Sequence, residues 1–262
     1  MPSETLFQLP DRVFRVGLCE RLGIPVTSEA SCPRRFAHGG LCGQPLRGGR
    51  HAHCCKGAAG AHIRFCHNPL VQEWCHMLAA AGRFVATEQA DPTMGPNARL
   101  DIVEYASQSG GSAAYDVSVV TPFRTDPAFV ARCAQTPGHA AAARHTHKLQ
   151  TQYQFRVPGA LLVPLVVETC GRWHSSVPSL VRRCAREYVQ RTPSLPPSAV
   201  SAVAARWGAM LSAQLLRGSA LVLDAVVPPH LPQPVAPQAS LAGPLPAACP
   251  EGDSAYELIV EA

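Results

Sequence analysis

The chain has 262 residues, of which 47% are hydrophobic, and this is enough to build a buried core and excludes a protein that is disordered throughout. No run of 18 apolar residues occurs, and the N-terminus lacks the charged-then-apolar layout of a secretory signal, so we expect a soluble, intracellular protein without a membrane partner. The net charge of +5 is uneven: residues 31–68 hold six Arg or Lys and no acid, and residues 127–167 hold four and no acid. Such local positive charge favours a polyanionic partner, with an ordinary solvated surface as the alternative.

The first predicted element is an amphipathic helix over "DRVFRVGLCERLG", within an N-terminal segment 1–30. Asp11 is the expected N-cap and Gly23 the expected C-terminal stop. We expect this helix to pack on the segment that follows it.

Residues 31–68 are rich in cysteine and histidine. The 44 residues from Cys32 to Cys75 hold six of the eleven cysteines and five of the eleven histidines. Without a secretory signal, metal ligation explains these cysteines better than disulfides do. The segment is too polar to form a hydrophobic core of its own, so it needs a metal ion to fold or stays loose. A set of free cysteines and surface histidines is the alternative.

The pattern of residues 69–226 predicts an α/β domain. Asn68 is the expected cap of the helix "NPLVQEWCHMLAAAG", which buries Leu70, Trp74, Met77 and Leu78. The strands "RLDIVEYA" and "AAYDVSVVT" follow as a hairpin joined by the turn "SQSGGS", and then come the helix "GHAAAARHTHKLQTQY", the covered strand "ALLVPLVVET" and two further helices. This order indicates a three- to four-stranded mixed sheet flanked by helices. The proline density of residues 227–262 predicts a mostly disordered tail.

Two aspartates interrupt the strands of the predicted hairpin. Asp101 and Asp116 can lie side by side on adjacent strands, where two carboxylates repel each other unless a cation sits between them. Oxygen ligands suit Mg²⁺ or Mn²⁺. Ser118 shares the face of Asp116, and Lys148 lies on the next helix together with Arg144 and Gln152. These residues predict a metal-dependent phosphodiesterase site; the alternative is that both acids end their strands and that Lys148 lies on a solvated helix face.

Several blocks in order, "ARLDIVEY…AAYDVSVVTPF…HAAAARHTHKLQTQY…LLVPLVVETCGRW", resemble the restriction-enzyme-like endonuclease domain of early-branching non-long-terminal-repeat retrotransposon polyproteins. That domain belongs to the PD-(D/E)xK nuclease superfamily. The resemblance covers about residues 18–223 and includes "CGQPLRGGRHAHCC…RFCHN", which is similar to the zinc knuckle that precedes the nuclease in such elements. No aspartate-pair polymerase signature occurs, so a reverse transcriptase would have to come from another chain.

The resemblance implies a set of catalytic residues. Asp101 matches the aspartate of the PD half-motif, although Arg99 or Leu100 stands in the proline position. Asp116 matches the second acid, and Ser118 occupies the usual lysine position. In this subfamily the lysine commonly moves to the next helix, which Lys148 with the following Tyr153 fits. Magnesium would then be held by Asp101, Asp116 and the carbonyl of Val117, and Glu168 in "ETCGRW" matches a signature of unclear role that we include among the catalytic candidates.

The resemblance also implies a zinc knuckle in residues 31–68. Cys42, His51 and Cys55 fit the family pattern, and a tetrahedral zinc ion needs one further nitrogen or sulfur ligand. Cys32 is preferred for that position, and the alternatives are His38, His53, Cys54 and His67. His67 followed by Asn68 also matches a family pair, whose simplest role is to cap the next helix.

These implications give a functional expectation. We expect a nuclear, Mg²⁺- or Mn²⁺-dependent DNA endonuclease that nicks DNA, takes no small-molecule substrate and is stabilised by zinc. The nucleic-acid contacts are expected from Arg34, Arg35, Arg50, Arg144, Lys148 and Gln152. A catalytically decayed, zinc-dependent nucleic-acid-binding remnant is the alternative, and a zinc-stabilised protein-interaction domain is a third possibility.

Overall fold

The computed structural model describes residues 8–36, 38–90, 99–105, 112–124, 126–152, 160–224 and 226. The predicted turn "SQSGGS" lies outside these residues except for Ser112, and Tyr153 and the tail 227–262 lie outside them entirely. The helices are α1 (Asp11–Arg21), α2 (Ala59–His62), α3 (Asn68–Ala80), α4 (Pro127–Gln135), α5 (His139–His147), α6 (Ser176–Arg191) and α7 (Val200–Asp224). The strands are β1 (Val85–Ala90), β2 (Arg99–Glu104), β3 (Ser112–Val120) and β4 (Ala160–Glu168).

The four strands form one mixed, open sheet in the order β1-β2-β3-β4. The pairs β1–β2 and β2–β3 are antiparallel, which confirms the predicted hairpin, whereas β3 and β4 run parallel over their full length. A parallel connection needs a crossover, and the chain from β3 to β4 supplies it through α4 and α5. The α/β class and the mixed sheet flanked by helices are therefore confirmed.

Helices cover both faces of the sheet. Alternate residues of β3, including Tyr115 and Val117, pack with β4 against α3, α6 and α7 to form the main core. Val120 on the other face packs with Phe129 of α4 and Ala140 of α5. Burial on both faces explains why β3 and β4 read as almost continuous apolar runs.

Three elements are absent from the sequence prediction: β1, α4 and the four-residue helix α2, which lies within the predicted zinc knuckle. Strand β1 carries polar residues in "VATEQA" and lies at the edge of the sheet, so it lacks the apolar run that marks the covered strands. Helix α4 has only nine residues and is marked mainly by its N-cap, where the Asp126 side chain accepts a hydrogen bond from the Ala128 N–H.

Both predicted aspartate and asparagine caps are wrong. Asp11 is the first residue of α1 rather than its N-cap, a position that Pro10 occupies. Asn68 does not cap α3 either, because helical backbone precedes it without a break from Ala59. The expected stop of α1 at Gly23 agrees with its positive φ of 71°, and the four expected apolar residues of α3 are all buried.

Two π-helical turns interrupt the helices that border the sheet. One spans Ile63–His67, between α2 and α3, and the other spans Lys148–Gln152, directly after α5. Helix α7 approaches the first turn so closely that a Cβ added at Gly218 would lie 2.3 Å from the Phe65 carbonyl oxygen. Such turns often occur at functional sites because they re-aim side chains.

Residues 31–58 pack against α1 and the C-terminal part of α7. Their buried apolar residues share a small core with both helices, whose members include Val16, Leu46, Ala52 and Leu223. The segment Pro197–Asp224, which contains α7, is long and apolar enough by composition to cross a membrane. In this fold α7 packs against α1, α3 and α6.

Candidate active site and metal centre

Strands β2 and β3 separate at Asp101. Their pairing runs from Glu104↔Ala113 to Ile102↔Tyr115, whereas β2 continues to pair with β1 as far as Arg99. One step further along this register would set Asp101 opposite Asp116. At that point the Asp101 side chain takes the place of a backbone acceptor, because its Oδ2 accepts a hydrogen bond of 2.7 Å from the Val117 N–H. The two strands therefore form a fork with both carboxylates at its base.

Lys148 closes the fork from the helical side. The π-helical turn after α5 begins at Lys148, and its ammonium forms an ion pair with Asp116 Oδ2. Lys148 is 0% exposed and Asp116 is 2% exposed. Asp116 thus lies inside the fold rather than at an exposed end of the sheet, and its burial is possible because an ammonium neutralises it. The predicted set of Asp101, Asp116 and Lys148 is brought together.

The charges in the fork influence one another. Burial lowers the pKa of Lys148, and the negative charge of Asp116 opposes this effect. Burial alone would raise the pKa of Asp101, but the hydrogen bond and charge of His67, together with Lys148, lower it overall. Asp101 is therefore held as a carboxylate, which is the form that binds cations.

His67 belongs to this site, although the sequence suggested for it only an alternative zinc ligand or a helix cap. Its Nε2 lies 3.2 Å from Asp101 Oδ2, and its Nδ1 lies 3.0 Å from Asn68 Oδ1. Burial would lower the pKa of His67, but the hydrogen bond to Asp101 raises it overall. The only sequence signal for this placement was the His67–Asn68 pair, because the π-helical turn that re-aims His67 has no recognisable pattern.

Val117 presents its backbone to the same fork. The Val117 N–H points to the β2 side of β3, because it donates to Asp101. In any β-strand the N–H and the carbonyl of the same residue point to the same side of the strand. The Val117 carbonyl therefore faces the fork together with the oxygens of Asp101 and Asp116.

Glu168 lies away from the fork. The register pairs it with Val120, four residues along β3 from Asp116, a distance of about 13 Å. Its buried Oε1 accepts hydrogen bonds of 3.1 and 3.3 Å from the N–H groups of Ala140 and Ala141, in the first turn of α5. Glu168 has the contacts of a helix cap, and its catalytic assignment stays a prediction.

A second cluster joins four residues of the cysteine-rich segment. The ligand atoms of Cys32, Cys42, His51 and Cys55 all lie within 4.8 Å of one another, so the group could hold a metal ion such as zinc. The Cys32 and Cys55 sulfurs are 3.8 Å apart, as expected for two corners of a zinc tetrahedron with Zn–S bonds of about 2.3 Å. Cys42 Sγ lies 3.2 Å from His51 Nε2. Cys32, the residue preferred from the sequence as the fourth ligand, belongs to this cluster, and none of the four alternatives does.

The fold of the segment brings these ligands together. Antiparallel bridges Ser31↔Pro45 and Arg35↔Leu41 hold Cys32 and Cys42 on a short ribbon. Two short 3₁₀ turns within Arg47–His53, joined by a kink at Gly48 and Gly49, then place His51 in the cluster, and Cys55 follows. Burial raises the pKa of the Cys55 thiol to about 12, and the neighbouring Cys32 adds to this effect. An ion must therefore displace thiol protons on binding.

Two of the alternative zinc ligands, Cys54 and His53, have different partners. Cys54 Sγ donates to the Phe123 carbonyl at 3.3 Å, and His53 Nε2 lies 2.6 Å from Glu20 Oε1 in a buried pair. The ten cysteines within the described part of the chain are all free thiols.

The expected nucleic-acid contacts differ in accessibility. Arg35 is exposed, and Arg50 is partly exposed and lies over the Phe123 ring at 4.6 Å. Arg34 donates to the Val222 carbonyl beside the cysteine cluster, so it ties this segment to α7. Arg144 is partly exposed near the fork, whereas Lys148 is buried. The Gln152 side chain lies outside the described part of the structure.

Comparison of the sequence with protein-family models and with curated proteins finds no match.

Proposed function

We propose that the chain is a divalent-metal-dependent endonuclease that nicks DNA, with a restriction-endonuclease-like core and a zinc knuckle. The convergence of Asp101, Asp116 and Lys148 at the fork between β2 and β3 carries this proposal. The two carboxylates lie on β2 and β3, and the lysine follows α5. This order along the chain also matches the order that the resemblance implies.

The donor set fits a divalent cation. Asp101, Asp116 and the Val117 carbonyl supply oxygen ligands on one edge of β3. When bound, such an ion would neutralise charge on the scissile phosphate and acidify a water molecule. The ligands are held before any substrate arrives, since Asp101 is fixed by the Val117 N–H and by His67.

Lys148 supplies a fixed positive charge. Its ammonium is buried against Asp116, so its position does not depend on the ordering of a flexible surface side chain. A preorganised cation stabilises the negative charge that develops on a phosphate in the transition state. His67 contacts Asp101 Oδ2 and acts as a positioning residue.

The cysteine cluster has a structural role in this proposal. We assign zinc to Cys32, Cys42, His51 and Cys55, because three sulfurs and one nitrogen are typical of a closed structural zinc site. The ion would fix the polar segment against α1 and α7. The basic residues that the segment exposes, such as Arg35, would then face DNA on a defined surface.

A second candidate is the nucleic-acid-binding remnant. The direct ion pair between Lys148 and Asp116 favours it, because Lys148 already neutralises one of the two acids. Ser118 in the usual lysine position also favours it. Plasmid nicking by the wild type and Asp116→Asn, in Mg²⁺ or Mn²⁺ at low salt, separates the two functions. A wild type that binds DNA but nicks no faster than the variant would reject the enzyme.

A further inference from the structure

Helix α1 and the residue after it expose a row of large apolar side chains. Phe14, Leu18 and Leu22 follow one another at intervals of four residues, so they share one face of the helix. These residues are 47%, 39% and 64% exposed, whereas Val16, on the other side of the helix, is fully buried. Single exposed apolar residues are common on protein surfaces, but a continuous row indicates a surface that binds something.

Positive charge borders this apolar row. Arg15 and Arg21 are exposed on α1 beside it. Asp11, in the first turn, is the one exposed acid of the helix, because the side chain of the other acid, Glu20, is buried against His53. Complementary charges favour association, so the row suits an apolar ligand that carries negative charge.

Residues 251–262 have the complementary composition. They hold four apolar residues close together and four acids, and no Lys or Arg: Tyr256, Leu258, Ile259 and Val260, with Glu251, Asp253, Glu257 and Glu261. The whole chain carries a formal charge of +5, so residues 1–250 carry +9. This segment therefore combines the apolar side chains and the negative charge that the row on α1 favours.

The described fold ends beside α1. Asp224, at the end of α7, forms an ion pair with Arg12 of α1, and Val226 belongs to the same small core as Val16. The 24 residues 227–250 can span up to about 80 Å, whereas α1 is only about 16 Å long. A tethered segment has an effective concentration on the order of millimolar at such a surface, so even a weak contact forms.

We propose that residues 251–262 bind in cis across Phe14, Leu18 and Leu22, with their carboxylates near Arg15 and Arg21. A second copy of α1 is a poorer partner, because it would set its own arginines against these two. An anionic membrane surface has the right sign of charge but is not tethered beside α1. The inference does not depend on the proposed nuclease.

Hydrogen–deuterium exchange of the whole 262-residue chain tests this contact, with the amides of residues 256–261 read by mass spectrometry. In the wild type these amides should exchange at least about tenfold more slowly than in Phe14→Ser or Ile259→Ser, because each change removes a large apolar side chain from the contact. Arg15→Glu should also speed their exchange. Adding Glu257→Lys/Glu261→Lys to Arg15→Glu should restore part of the protection, because the charges are then exchanged.

Two matched controls should exchange like the wild type. Phe84→Ser changes an exposed phenylalanine outside α1, and Leu245→Ser changes a leucine that precedes the proposed segment. Ile259→Ser leaves the described residues unaltered, so its effect cannot come from a damaged α1.

Three results would overturn the proposal. The first is exchange of residues 256–261 in the wild type that is as fast as in Ile259→Ser. The second is protection that falls on tenfold dilution, because a second copy would then be the partner. The third is protection of α1 that requires anionic phospholipid vesicles, which would assign the row to a membrane surface.

Discussion

At the scale of single residues, Asp116 is the most informative position, because it is both an ion-pair partner and a candidate metal ligand. Asp116→Asn keeps the shape of the side chain and removes its charge. We expect Mg²⁺-dependent plasmid nicking to fall by at least about 100-fold, because the carboxylate acts on the transition state. Oligonucleotide affinity should change little, since a negative charge is removed rather than added.

Comparison variants separate this effect from a general loss of structure. Lys148→Ala should slow nicking, and more strongly than Ser118→Ala, because the proposal gives the lysine role to Lys148 and no catalytic role to Ser118. Asp11→Asn changes an exposed aspartate at the start of α1 and should nick like the wild type. Because a broken buried ion pair costs about 3–5 kcal/mol, all variants are compared well below their melting temperatures. Equal nicking by the wild type and Asp116→Asn would contradict the prediction.

His62 makes a second residue-scale prediction, about the pH dependence of stability. Its folded-state pKa of about 3 lies below the unfolded value, owing first to burial and then to the charges of His53 and Arg34. The unfolded chain therefore binds a proton that the folded chain does not. As pH falls from 7 to 5, His62 should cost about 2 kcal/mol of stability.

Chemical denaturation at pH 7 and pH 5 measures this cost. His62→Gln should lose about 2 kcal/mol less than the wild type between the two pH values. His76→Gln removes an exposed histidine of α3 and should leave the difference between the two pH values unchanged. A His62→Gln variant with the same pH dependence as the wild type would show that His62 titrates normally in the folded protein.

At the scale of secondary-structure elements, Glu168 links β4 to the start of α5, the helix that leads to Lys148. Its carboxylate accepts from two N–H groups of the first turn, which a helix leaves unsatisfied. Glu168→Ala should lower the free energy of unfolding by about 1–2 kcal/mol. It should also slow nicking, because α5 positions Lys148.

The isosteric variant Glu168→Gln tests whether this role is structural or catalytic. Glutamine retains an oxygen that accepts from Ala140 and Ala141, so nicking should stay within about threefold of the wild type if Glu168 only caps α5. A catalytic carboxylate would lose nearly all activity in the same variant. Denaturation and plasmid nicking measured on both variants distinguish the two roles.

At the scale of the whole molecule, the elements with long apolar patterns were predictable and the site only partly. Residues such as Trp74 and Val117 are buried, and their spacing marks a helix or a strand. The π-helical turns that place His67 and Lys148 carry no comparable signal, because they depend on packing against the sheet and α7. The capping contacts of Glu168 arise between segments distant in sequence, so local pattern could not reveal them.

The cysteine cluster also affects the whole molecule, because it lies where residues 31–58, α1 and α7 meet. If zinc holds these segments together, the purified protein should contain about one equivalent of zinc. Cys42→Ser removes a ligand that is only half-buried, so it perturbs packing little. Its zinc content should fall below about half an equivalent, and its melting temperature should fall as well, because structural zinc contributes directly to folding.

Cys54→Ser is the matched control, because Cys54 is next to the ligand Cys55 but bonds to the Phe123 carbonyl. It should retain zinc and melt like the wild type. A strong chelator should lower the melting temperature of the wild type to that of Cys42→Ser and should leave Cys42→Ser unchanged. Metal analysis and thermal unfolding of the three proteins, with and without chelator, test the cluster. Unchanged zinc in Cys42→Ser, or equal losses in Cys42→Ser and Cys54→Ser, would show that the four residues do not form the site.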